Sequence, residues 1–422
     1  MNGRRDAIEV VTIGDELLLG FTIDTNAAHL ARELGADGYR IARRATCGDD
    51  AASIGEAVRD ALERTGAVIT TGGLGPTSDD NTKASIAAIF GRAMRFDDAI
   101  WQRLVQLWKS RGWPGDVPES NKLQAMIPEG ATILENRHGS APGIWLEDAH
   151  GRWVAMLPGV PREMRGMLAD TLRPRLAEWR GDQAATVIRS RTVRTTGISE
   201  SALHDQLTDV RRAVHGLPLA FLPGWEGVDL RVTARGRPLA ETDAVLTAAS
   251  AELRARIGDV VYGEGDADLA AVVLEAARER DWSIAVAESC TGGMLGMRLT
   301  AIAGASDVFR GGIIAYRNEV KVRDLHVDAA LVDAHGAVSE PVVRAMAAGV
   351  RRAMHADIGL AITGVAGPGG GSPDKPVGTV WVAVETADGV RAVMPRMVGD
   401  RDEIRRRATQ AVLNLCRKSL AG

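Results

Sequence analysis

A short apolar run that ends in a glycine turn and leads into a helix-period segment recurs along this chain. "AIEVVTIG" (7–14) precedes the amphipathic "NAAHLARELGADG" (26–38), and "GAVITTGGLG" (66–75) runs into another such turn. Far downstream "SIAVAESCTGG" (283–293), "GGIIAY", "DIGLAITG" and "GTVWVAVET" repeat the pattern with helical segments between them. Strands that are apolar throughout and alternate with helices predict sheets covered on both faces, hence two three-layer α/β/α domains with mostly parallel sheets. At 422 residues the chain exceeds what one core sustains. The pattern breaks between the two halves, which places a small α+β connecting module at 171–256 between domains at 1–170 and 257–422.

The composition excludes several function classes. A formal net charge of −4 gives no electrostatic footprint for nucleic acid, although Arg211-Arg212, Arg351-Arg352 and Arg405-Arg406-Arg407 form local basic runs. No apolar run approaches the roughly 18–20 residues that span a bilayer, and residues 1–13 lack a signal-peptide core, so a cytoplasmic protein without membrane contact is expected. Three scattered cysteines, Cys47, Cys290 and Cys416, form no CxxC pair, and the eight histidines show no HExxH spacing. A disulfide framework and a zinc hydrolase are both disfavoured.

In an open parallel sheet, ligands gather beyond the carboxyl ends of the strands. "TTGGLGPTSDD" (70–80) lies at such an end: Gly72, Gly73 and Gly75 permit close backbone approach, and a helix expected to start near Ser78 would aim its N-terminus at the same place. The turn lacks the Lys-Ser/Thr of a Walker loop. It carries Asp79 and Asp80 instead, which would repel a phosphate unless a divalent cation lay between. Acidic residues in a first helical turn also stabilise that helix without any further role.

In the C-terminal half, Ser289 and Cys290 sit together at a strand-to-helix turn whose N–H groups, at Thr291, Gly292 and Gly293, are expected to be free to hold an oxyanion. No histidine lies in the neighbouring strand-end motifs, as cysteine activation would ordinarily require. The next strand end offers Tyr316 and, five residues on, Lys321, and a lysine desolvated in a cleft can serve as base. This base fits Ser289 better than Cys290. The loop "GPGGGSPDKPVG" (367–378) has the composition of an active-site lid.

Taken in order, "GDELLLG", "TNAAHLARELG", "TTGGLGPTSDD", "NKLQAMIP", "NRHGSAPG" and "LPGVPREM" resemble the successive signatures of the CinA (competence/damage-inducible) family, whose first domain is similar to molybdopterin-binding domains. "TTGISESALHDQL" resembles the start of the family's connecting domain, read here as a spacer or dimerisation element of a homodimer, with His204 on its surface. "AESCTGG", "GGIIAYRNEVK", "GAVSE", "AITGVAGPGGGSPDKPVGTV" and "GDRDEIRRRA" resemble its C-terminal domain. For the first domain the resemblance implies an ADP-ribose pyrophosphatase assisted by divalent metal (Mg2+, Mn2+ or Co2+) and K+. Glu16 and Asp80 would be metal ligands there, the glycine turn and Asn26, Lys83 and Asn121 would bind substrate, and Asp15 stands where the family pattern has threonine or serine. For the last domain it implies cofactor-free deamidation of nicotinamide mononucleotide. Ser289 would be the nucleophile, Lys321 and Tyr316 the proton-transfer partners, and Thr291, Gly292, Gly293, Thr363 and Gly364 the substrate donors, with "GDR" (399–401) and Arg405 on the phosphate. A nucleotide- or pterin-binding protein without turnover, tied to competence or DNA damage, is the alternative.

Overall fold

The computed structural model describes residues 7–181, 186–207, 209 and 214–421; Arg211-Arg212 lie outside them. The chain divides into two compact units, one of residues 1–189 with 234–243, the other of 190–233 with 244–422.

The first unit is built on a six-stranded sheet. Its strands are β1 (Ala7–Ile13), β2 (Arg40–Cys47), β3 (Ala67–Thr71), β6 (Thr132–Leu134), β7 (Gly143–Glu147) and β8 (Trp153–Leu157), in the order β2-β1-β3-β8-β7-β6. A separate antiparallel pair, β4 (Met94–Phe96) and β5 (Met126–Pro128), lies between β3 and β6 in sequence. The first four strands of the sheet are parallel, and β7 and β6 are antiparallel, joined by turns too short for a helical crossover. Alternation along β1 sends its side chains to opposite faces. Ile8 and Val10 pack with Leu30 and Leu34 of the helix Thr25–Ala36, while Val11 and Ile13 pack with Ile54 and Val58 of the helix Ala51–Thr65. Both helices start on aspartates whose carboxylates accept free first-turn N–H groups: Asp24 from Ala27 and Asp50 from Ala52 and Ser53.

A small antiparallel sheet follows in sequence, of β9 (Val187–Thr195), β10 (Leu219–Pro223), β11 (Val228–Arg237) and β12 (Val261–Glu264), in the order β10-β11-β9-β12, with most of its residues in the second unit. The larger sheet of that unit contains β13 (Ile284–Glu288), β14 (Phe309–Ile314), β15 (Ile358–Gly364), β16 (Val380–Thr386) and β17 (Gly389–Val393), in the order β14-β13-β15-β16-β17. Parallel pairing is confined to β14-β13-β15; a loop rather than a helix joins β15 to β16, so β16 and β17 run antiparallel. Ile284 and Val286 face the helices Leu269–Arg278 and Arg401–Ala421, whereas Ala285 and Ala287 face the helix Glu340–Ala353. No helix among the described residues is long and apolar enough to cross a membrane.

The alanine-lined face is packed to backbone contact. A Cβ at Gly349 would stand 2.0 Å from the carbonyl oxygen of Leu325. Gly349→Ala is therefore expected to cost about 1–3 kcal/mol, read from the urea midpoint of unfolding.

Candidate functional sites

At the carboxyl edge of the first sheet, parallel pairing brings the ends of β1 and β3 side by side. Gly72 has φ +112°, and a Cβ there would lie 2.2 Å from the carbonyl oxygen of Ile13. Glycine is the residue that permits this crossing. The helix expected near Ser78 begins at Thr82. What holds the intervening turn is Asp80: Oδ1 accepts from Gly75 N–H at 2.7 Å, and Oδ2 accepts from Thr77 N–H at 2.9 Å and Thr77 Oγ at 2.6 Å.

Most of the acceptor capacity of Asp80 is thus spent on its own loop, which narrows the metal-ligand role expected of it. The phosphate-cradle role of the turn narrows likewise. Gly72 N–H donates to Leu157 and Gly75 N–H to Asp80, whereas Gly73 N–H has no acceptor among the described residues.

The turn borders a cleft of about 480 Å³. Carboxylates of Glu16, Asp24, Asp49, Asp79, Asp80 and Glu163 line it, and among the described residues no lysine or arginine does. Among the described residues the side-chain carboxylates of Glu16 and Asp79 make no hydrogen bond or ion pair, while Asp24 caps a helix and Glu163 accepts from Asn136 Nδ2 at 2.6 Å. Burial and the neighbouring Asp15, Glu16 and Asp79 push the Asp49 carboxyl above its ordinary value. Asn26 also lines the cleft. Its Nδ2 donates to Thr71 Oγ at 3.0 Å and Gly159 O at 2.7 Å, which fixes the amide orientation and leaves a buried Oδ1 without a partner.

Two expected substrate ligands stand elsewhere. Asn121 belongs to a 3-10 turn (Glu119–Ala125) and does not line the cleft. Lys83 is buried behind the wall, where its ammonium donates to the carbonyl of Leu123.

In the second unit β13 delivers Ser289 to the centre of the sheet's carboxyl edge, and Ser289 N–H donates to Ile362 O at 3.0 Å. Lys321, on the helix Asn318–Leu325, lies only 1% exposed, with Nζ 3.2 Å from Ser289 Oγ, 2.7 Å from Ala315 O and 3.4 Å from Tyr316 O. Among the described residues no carboxylate touches it, and burial lowers its pKa from the ordinary lysine value against weaker opposing effects of Cys290 and Glu319. The neighbouring Cys290 thiol is pushed up to about 11, chiefly by burial.

The oxyanion donors differ from expectation. Glu288, which the sequence reading passed over, is buried and folds its carboxylate into the following helix, accepting from Gly293 N–H (3.0 Å), Leu295 N–H (3.1 Å) and Gly296 N–H (2.8 Å). Gly292 N–H closes a turn onto Ser289 O at 3.1 Å. Neither Gly292 nor Gly293 has a free N–H; those of Cys290 and Thr291 have no acceptor among the described residues. The only sequence signal for Glu288 is an acid just before a glycine-started helix.

The remaining predicted residues surround this turn. Tyr316 lies beyond the end of β14 with its side chain 57% exposed; its carbonyl, rather than its hydroxyl, is placed on Lys321, and the hydroxyl accepts from Arg401 Nη2 at 3.1 Å. Arg401 also donates to Gly367 O at 2.6 Å, tying down the start of the long loop. Arg405 Nη2 donates to Thr291 O at 2.7 Å, so this arginine braces the turn after Ser289. Thr363 is buried with its hydroxyl spent on Ala337 O at 2.9 Å, and a Cβ at Gly364 would meet Val380 at 2.6 Å, so that residue serves close strand packing.

Comparison with known proteins follows the same division. Residues 9–178 match the family described as a probable molybdopterin binding domain, 190–263 the damage-inducible protein CinA KH domain, and 266–420 the CinA C-terminal domain. A CinA-like protein of Gemmatimonas aurantiaca is 63% identical over 98% of this chain and 96% of its own. A putative competence-damage inducible protein of Moorella thermoacetica is 39% identical over 98% of each. Among solved structures, the protein CinA from Thermoplasma acidophilum is 35% identical over 41% of this chain and 99% of its own, with a TM-score of 0.37.

Lys83 generates a prediction independent of any activity. Burial lowers its pKa to about 8, against an opposing pull from Asp80. The folded state therefore holds this proton less tightly than the unfolded chain, and stability gains as pH rises from about 8 towards the ordinary lysine value, with the full penalty below that window. Urea midpoints of the wild type are expected to rise relative to those of Lys83→Met between about pH 8 and 10; parallel profiles would contradict the assignment.

Proposed function

The chain belongs to the CinA family, and from that premise we propose that it is a bifunctional hydrolase: a nicotinamide mononucleotide deamidase in its C-terminal segment and a metal-assisted ADP-ribose diphosphatase in its N-terminal one. The observation that carries the first reading is the buried contact of Lys321 Nζ with Ser289 Oγ at 3.2 Å. A neutral amine has two hydrogens and one lone pair, and Nζ has two carbonyl acceptors and one hydroxyl around it. In that state Ser289 O–H donates to Nζ, the arrangement of a nucleophile beside its base.

Attack then follows ordinary acyl-transfer bookkeeping. Ser289 Oγ forms a bond to the carboxamide carbon while its proton passes to Lys321. The C–N bond breaks as Lys321 returns the proton to the departing ammonia, and water cleaves the acyl ester to the acid, regenerating Ser289. The free N–H groups of Cys290 and Thr291 adjoin the attacking oxygen and would stabilise the oxyanion. The Cys290 side chain, held as a thiol by burial, takes no part. The exposed face of Arg401 and Tyr316 is the suitable place for the substrate phosphate, a role that Arg405 is poorly placed to share while it braces Thr291.

For the N-terminal cleft, the support is its charge. Six carboxylates without a basic residue would repel a diphosphate unless a cation came with it. A divalent ion held by one or two of these carboxylates and completed by the substrate's phosphate oxygens would offset that repulsion. Glu16 and Asp79 would hold it, and Asn26 Oδ1 offers a neutral oxygen nearby to K+ or to a substrate hydroxyl. Such an ion supplies charge neutralisation and polarisation of the phosphoryl group.

Ser289→Ala is expected to lower ammonia release from nicotinamide mononucleotide by about a thousandfold or more, with the wild-type rate rising with pH through a value below that of ordinary lysine. Undiminished release from the variant would sink the nucleophile assignment. AMP release from ADP-ribose should stop with a chelator and fall about tenfold or more in Glu16→Gln, as followed by chromatography of the products; no AMP under any divalent ion would leave this cleft a nucleotide-binding site.

A further inference from the structure

The small antiparallel sheet has no role in either reaction, yet its β10–β11 hairpin reaches the support of the Ser289 site. Arg298 lies on the helix Met294–Thr300, directly after the nucleophile turn, and is 8% exposed. Its Nη2 donates to Glu226 Oε1 at 3.1 Å and to Asp268 Oδ1 at 2.9 Å, and its Nη1 to Gln410 Oε1 at 2.6 Å. Glu226 and Trp225 belong to the hairpin, and the Trp225 ring lies 5.1 Å from the Arg298 guanidinium and 5.8 Å from that of Arg406.

The circuit closes on itself. Gln410 Nε2 donates to Thr196 Oγ at 3.3 Å, and Thr196 Oγ donates to the backbone oxygen of Glu226 at 2.7 Å. Arg194 pairs with the second carboxylate oxygen of Glu226 and with Asp229 at 2.9 Å, so each buried charge has an opposite one in contact. Thr196 and Gln410 are buried.

The circuit joins the hairpin to two of the helices around the site. One starts at the Ser289 turn and is held there by Glu288; the other, Arg401–Ala421, carries Arg401, Arg405 and Gln410. Loose apolar packing would have let these helices slide against the hairpin. A polar network centred on the buried Arg298 and Gln410 gives them one geometry, because any displacement strands the buried guanidinium. Misplacement of reacting groups by about 1 Å can cost about a hundredfold in rate.

We propose that the small module is a positioning platform for the C-terminal site, acting through Glu226 and Trp225 on the positioning residue Arg298. The inference rests on Ser289 being the nucleophile of that site. Its test uses the full chain with Glu226→Gln and, separately, Trp225→Ala, both outside the residues that touch Ser289 or Lys321. In each variant kcat for ammonia release is expected to fall about three- to thirtyfold with KM within about twofold, while AMP release from ADP-ribose is unchanged. Hydrogen exchange of the backbone at 290–300 should quicken, and acylation of Ser289 by an activated ester should slow by the same factor as kcat. Wild-type kcat and acylation in both variants, or a lowered melting temperature with kcat intact, would overturn the platform role and leave the hairpin as packing. A wild type that releases no ammonia refutes the deamidase reading instead, and the acylation and exchange rates then decide the platform by themselves.

Discussion

A lysine amine buried without a carboxylate in contact is the constraint around which the second unit is arranged. Burial favours the neutral form of Lys321, and a neutral amine in the interior needs acceptors for its hydrogens and a donor for its lone pair. The carbonyls of Ala315 and Tyr316 and the hydroxyl of Ser289 satisfy all three requirements. Ser289 is in reach because β13 and β14 are adjacent and parallel, so the strand ends that lead to Ser289 and to the helix of Lys321 emerge at the same edge. Antiparallel pairing would have sent them to opposite ends.

Both candidate sites use the same local device. A glycine turn at a strand end leaves main-chain N–H groups pointing inward, and a nearby carboxylate folds back to accept several of them: Asp80 in the first unit, Glu288 in the second. Each carboxylate organises its turn at the expense of donors that would otherwise meet a ligand. In the first unit this shifts the unbonded negative charge to Glu16 and Asp79. In the second it moves the available donors next to the nucleophile, at Cys290 and Thr291.

The same redistribution explains which residues could be found beforehand. Ser289, Lys321 and the glycine turn carry their chemistry in residue type and in their place at strand ends, and their proximity follows from parallel topology alone. Glu288, Glu163 and Arg298 were invisible as functional support, because an acid or arginine near a helix end usually reads as a solvated cap. Lys83 and Thr363 misled for the opposite reason. Their types fit ligand binding, but packing turned Lys83 towards Leu123 and spent the Thr363 hydroxyl on Ala337.

Strand and helix periodicity, the glycine turns and the candidate nucleophile and base were therefore determined by sequence, because each depends on local spacing and on a general rule of sheet topology. Which N–H groups remain free, which carboxylates face the cleft and how the small hairpin meets the helix after Ser289 were decided by tertiary structure. Those outcomes depend on competition among many donors and acceptors for the same buried partners. Such a competition is settled between residues as far apart in sequence as Thr196, Glu226, Arg298 and Gln410, and only where the folded chain brings them together.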